Sequence, residues 1–129
     1  MKTLIVFSLF VLFHLGAWSA AHGWLSMNKN QTLVVVDTSY SMKPHFNDME
    51  QWIENLRDGT RYTDVIIGTD KALIGPLGEI RSADSIFRSA FGKFSLDSLK
   101  KYGNAEADRK ILLSDGSVDP GGWETVVFK

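Results

Sequence analysis

Cysteine is absent from this chain, which excludes disulfides, thiolate metal sites and cysteine nucleophiles together. Histidine is scarce. Of the three present, His14 and His22 fall in or beside an N-terminal apolar segment, and His45 has no evident Ser-His-Asp arrangement around it. No nucleophile and base pair is therefore apparent. No basic patch stands out either, and because phosphate neutralisation needs clustered Lys and Arg, nucleic acid is not an expected partner. Repeats and low-complexity tracts are also missing.

What is present is a globular balance: 129 residues, 44% hydrophobic and 22% charged, as one small domain would have. The N-terminus departs from that average. Lys2 is followed by an uncharged run from Thr3 to Ala21, with an apolar centre at Leu4 to Leu15 and small residues after it, which is signal-peptide grammar. Ala17 with Ser19, or Ser19 with Ala21, satisfies the small-x-small requirement for cleavage after either Ser19 or Ala21. The alternative is an uncleaved anchor, because Leu4 to Ala21 is about the minimum that spans a bilayer as a helix. The expected organisation is thus residues 1–21 as signal peptide or membrane anchor, 22–31 as a linker or edge element, and 32–129 as an exported domain, periplasmic or secreted. Removing residues 1–21 takes away one basic residue, leaving 13 basic against 15 acidic and a net charge of −2. The remaining 108 residues must rely on their core for stability.

The most informative stretch is Leu33 to Met42, L-V-V-V-D-T-S-Y-S-M. Its apolar β-formers suit a strand covered on both faces, as in a parallel sheet, and the acid then lies at the carboxyl end, where open α/β sheets bind ligands. Asp37, Ser39 and Ser41 offer one carboxylate and two hydroxyls from a single turn. Those are hard oxygen donors suited to Mg²⁺ or Mn²⁺. Ile111 to Gly116, I-L-L-S-D-G, is a second apolar run ending in an acid. Parallel strands that both end in aspartate bring Asp37 and Asp115 to one sheet edge.

Elsewhere, the periodicity predicts a helix over about Pro44 to Arg57, with Phe46, Met49, Trp52, Ile53 and Leu56 on one face as core. Strands are expected at Thr32–Val36, Asp64–Gly68, Lys71–Ile74, Lys110–Ser114 and Glu124–Phe128. Ser82 or Asp84 can cap a helix running to Phe91, and Ser95 another over Leu96–Tyr102. This order fits an α/β fold, a three-layer α/β/α sandwich around a mostly parallel sheet.

The pattern D-x-S-x-S after a hydrophobic strand, with the later S-D-G, resembles the metal-ion-dependent adhesion site of von Willebrand factor type A domains, and the element order resembles that fold over most of residues 32–128. The resemblance implies Asp37, Ser39, Ser41 and Asp115 as metal ligands. It also implies a third hydroxyl from a loop between the two aspartate strands, usually a threonine after a glycine-rich turn. Here Ser95, after Gly92, is the nearest match; its other reading is a plain helix N-cap. Thr69 and Ser82 are weaker candidates. Thr38 and Tyr40 are expected to shape the surface rim. The family's final strand and helix have no counterpart beyond Phe128, so a compact member, truncated at the C-terminal edge, is expected.

In that family the ion keeps an open coordination position that an Asp or Glu carboxylate of a protein partner fills. The implied function is a non-enzymatic, metal-dependent binding module of the cell envelope. The competing reading is a haloacid-dehalogenase-like phosphatase with Asp37 as nucleophile, followed by Thr69, Lys100, Asp115 and Asp119. That chemistry needs a second acid two residues after the nucleophile, where this chain has Ser39. A metal-free structural domain of an envelope assembly is the third reading.

Overall fold

The computed structural model describes residues 1–88 and 90–129. It begins with α1, Lys2–Met27, a helix of 26 residues with none buried, which touches the domain where the His22 ring meets Tyr62. An 18-residue window of this helix has a mean hydropathy of 2.0, so by length and composition it could cross a membrane. The helix continues past the expected boundary at residue 21. Residues 22–27, expected as linker or edge element, are helical, and only Asn28 and Lys29 separate them from the first strand.

The domain proper is built on five strands: β1 Asn30–Val36, β2 Thr63–Thr69, β3 Leu73–Pro76, β4 Arg109–Ser114 and β5 Glu124–Val127. Their order is β3-β2-β1-β4-β5. β1 pairs in parallel with both β2 and β4, and β4 in parallel with β5. β3 alone is antiparallel, returning beside β2 through a bulge at Ile67/Gly68. The fold is α/β with a mostly parallel sheet. Leu33 to Val36 and Ile111 to Leu113 are buried on both sheet faces, which explains their unbroken apolar runs.

One face carries Val34, Val36, Ile67, Ile111 and Leu113 against α2 (Phe46–Gly59), whose Met49 and Ile53 are fully buried. The stripe expected to be core is core. The helix starts later than Pro44, because Tyr40–His45 forms a 3₁₀ turn that contains the proline and leads into α2. Such turns are frequent at helix N-termini, and proline, with no N–H to donate, fits there. Ala83–Phe87, on the same face, is also 3₁₀ and not the expected α-helix to Phe91; residue 89 lies outside the described residues.

The opposite face, with Leu33, Val35 and Leu112, is covered by Leu99 and Tyr102 of the 3₁₀ segment Leu96–Tyr102, with Phe94 and Trp123 beside them. Here too the expectation was a helix, and the chain forms the tighter variant. Both segments are short, five and seven residues, and lengths of that order cannot repay helix nucleation through propensity alone. One face is therefore covered by α2 with 3₁₀ segments beside it, and the other by 3₁₀ structure and loops.

Candidate metal centre

After β1 the chain crosses to β2 on one side, and β4 lies on the other side of β1. The strand order reverses there. In open α/β sheets the crevice at such a reversal, outside the carboxyl ends of the strands, is the preferred ligand site. Asp37 follows β1 directly, and its N–H donates to the Leu113 carbonyl of β4 at 2.9 Å. Because Val36 is in register with Leu113, Asp115 follows one step beyond the same edge. The two carboxylates singled out from sequence are brought to one end of the sheet.

The D-x-S-x-S turn is compact. The Ser39 N–H donates to Asp37 Oδ1 at 2.8 Å, and the hydroxyls of Ser39 and Ser41 lie 3.1 Å apart. Asp37 and Ser39 are buried, whereas Ser41 is exposed, so the turn presents donors from the protein's interior outward to solvent. Burial pushes the Asp37 carboxyl above its ordinary value; hydrogen bonds from Ser39 act against this, and the negative charges of Asp70 and Asp115 reinforce it. Asp115 differs. Hydrogen bonds from the Ser117 hydroxyl and N–H hold it below the usual range, with a smaller contribution from Lys129. Gly116, at φ +79°, makes the turn after it, and a side chain there would meet Val127 at 3.0 Å.

Ser95 sits at the start of the Leu96–Tyr102 segment with extended backbone, but it makes no capping hydrogen bond. Its hydroxyl, which is exposed, faces that of Ser98 at 3.3 Å. The loop before it does touch the site, since the Tyr40 N–H donates to the Gly92 carbonyl at 3.3 Å. Among the described residues no hydrogen bond joins Ser95 to Asp37, Ser39 or Ser41. Thr69 is occupied otherwise: its hydroxyl accepts from the N–H groups of Lys71 and Ala72, closing the β2–β3 turn. Ser82 is exposed, before the Ala83–Phe87 segment.

Thr38 corrects an expectation. It is not a rim residue but is 1% exposed, and both its N–H (3.0 Å) and its hydroxyl (2.7 Å) donate to Asp70 Oδ1. Asp70, also buried, pairs through Oδ2 with Lys71 Nζ at 2.7 Å. Sequence reasoning passed over Asp70 although a signal was present. V-I-I-G-T-D at the end of β2 repeats the pattern of an apolar run ending in aspartate that drew attention to Asp37 and Asp115. Three parallel strands, β1, β2 and β4, deliver an aspartate to the same edge.

No family model, no curated protein and no solved structure matches the chain. Among the described residues no three Asp, Glu or His side chains gather as a metal-binding cluster. A cation at this edge would depend on two carboxylates, the serine hydroxyls and water. That donor set fits a hard divalent ion, and the desolvated, charge-crowded Asp37 is the group a cation would stabilise.

Proposed function

We propose that the chain is an exported binding module of the von Willebrand factor A type, in which Asp37, Ser39, Ser41 and Asp115, joined by Ser95, hold Mg²⁺ or Mn²⁺. The observation that carries this reading is the pairing of the Ser39 and Ser41 hydroxyls, 3.1 Å apart, beside the buried Asp37 at the reversal of strand order. Hard oxygens converge there without a soft ligand. A bound divalent ion would supply an electrophilic centre for an external carboxylate. The protein's own part is to orient the donors and leave one side open: Ser41 and Tyr40 are exposed, so an acidic side chain of a protein partner can approach the turn.

In this reading the sheet with its two covered faces is a reduced form of the three-layer α/β/α sandwich. The apolar α1 serves as signal peptide or anchor, placing the domain in the periplasm or outside the cell. The phosphatase reading draws less support. The Thr69 hydroxyl is committed to its turn, and Lys100 lies at the surface, paired with Asp97 at 2.6 Å. Capture of an Asp- or Glu-bearing envelope protein by the exported domain in Mg²⁺, abolished by EDTA and by Asp37→Ala, is the expected outcome. Capture that is indifferent to EDTA would remove the metal from the function. Turnover of an aryl phosphate by wild type but not by Asp37→Asn would recast Asp37 as a nucleophile.

A further inference from the structure

We propose that Asp70 is the positioning residue of this site: it holds Thr38, and through it the whole D-x-S-x-S turn, in the shape that receives a cation. The inference rests on the metal-binding reading above. Thr38 lies between the two inner donors, Asp37 and Ser39, so its backbone cannot move without carrying both. Asp70 Oδ1 accepts from the Thr38 N–H at 3.0 Å and from its hydroxyl at 2.7 Å, fixing backbone and side chain from the turn that follows β2. The Asp70 N–H in turn donates to the Val36 carbonyl at 3.2 Å, so the acid is tied to the residue just before the turn as well.

Both carboxylate oxygens are engaged, which separates Asp70 from the ligands. Oδ2 pairs with Lys71 Nζ at 2.7 Å, and the same ammonium reaches the Thr38 hydroxyl at 3.1 Å. A cation binding directly to Asp70 would have to displace that ammonium. The Asp70 side chain is only 2% exposed and is paired with the Lys71 ammonium, which holds its oxygens to geometry. The β2–β3 turn that bears it is itself clamped from the other face. Lys101 Nζ donates to the carbonyls of Asp70 (3.0 Å) and Lys71 (2.7 Å), and the Tyr102 hydroxyl to that of Thr69 (2.6 Å). The segment that starts at Ser95 therefore ends by bracing Asp70. Groups that orient metal ligands from behind in this way typically govern affinity by roughly 10- to 100-fold.

The test is Mg²⁺ titration by calorimetry, well below the melting temperature, of wild type, Asp70→Ala, Asp70→Asn and Thr38→Val, with hydrogen exchange of the Thr38 and Ser39 amides in metal-free protein. Asp70→Ala should bind about 10- to 100-fold more weakly and exchange faster at both amides. Asp70→Asn, which keeps an acceptor for Thr38, should recover part of the affinity. Thr38→Val loses one of the two bonds and should fall between, so the inference stays testable if Asp70→Ala does not fold. Wild-type affinity and exchange in Asp70→Ala, or in Thr38→Val should the former not fold, would overturn the positioning role while leaving the metal site standing. Absence of Mg²⁺ binding by wild type would overturn both.

Discussion

Asp37 is held where a carboxylate is costly, buried at the end of β1 with the charges of Asp70 and Asp115 nearby. Its folded value lies above the ordinary 3.8, so the metal-free folded protein binds the proton more tightly than the unfolded chain. The stability this contributes is fully present below the ordinary value and is lost as pH rises through the folded one. Metal-free wild type should thus lose stability from acid toward neutral pH by a component that Asp37→Asn lacks. At neutral pH Mg²⁺ should raise the wild-type melting midpoint and leave that of Asp37→Asn unchanged, since only a ligand bound to the folded state stabilises it. Thermal melts across this pH range, with and without Mg²⁺, check both. Ser95 makes a complementary case. Having no capping bond, Ser95→Ala should cost less than the roughly 1 kcal/mol usual for a lost cap, yet weaken Mg²⁺ binding if its hydroxyl completes the site. Unchanged affinity in that variant would restrict the ligands to the β1 turn and Asp115.

Among the elements, the parallel strands were the most legible in the sequence, and the reason is physical. Strands buried on both faces must be apolar throughout, so L-V-V-V and I-L-L announce β1 and β4, and the acids that end them announce the sheet edge. The α2 stripe was legible for the same reason, and Ile53→Ala, which empties a fully buried position on it, should cost about 2–5 kcal/mol in denaturant unfolding. The segments around Ala83–Phe87 and Leu96–Tyr102 were misjudged because inward-facing residues at helical spacing do not distinguish α from 3₁₀ structure over one or two turns. The placement of Asp70 at the edge was legible in V-I-I-G-T-D, but its role was not: that depends on Thr38, 32 positions away, and the contact exists only once β2 lies beside β1. The brace from Tyr102 was equally invisible, although it is sharply testable. An added Cβ at Gly68 would come within 2.5 Å of the Tyr102 hydroxyl, so Gly68→Ala should displace that ring and loosen the Thr69–Asp70 turn. Burial pushes the Tyr102 hydroxyl up to about 12 from 10.0. The stability it contributes is therefore present below the ordinary value and lost as pH rises toward the folded one. Tyr102→Phe should flatten that alkaline loss while costing about 1 kcal/mol at neutral pH for the missing hydrogen bond.

At the scale of the whole molecule, polarity along the strands organises everything. α1 joins the sheet at the amino end of β1 through two residues, and the candidate site lies at the carboxyl end of the same seven-residue strand. An apolar helix at one end and the aspartate-bearing edge at the other is the arrangement that the proposed exported binding module requires. On the proposed reading this edge binds a divalent cation through Asp37. Calorimetric titration of the domain with MgCl₂, wild type against Asp37→Ala, tests it most directly. Saturable binding near one ion per chain in wild type and none in Asp37→Ala is the expected result; equal heats for the two proteins, or no heat from either, would contradict it.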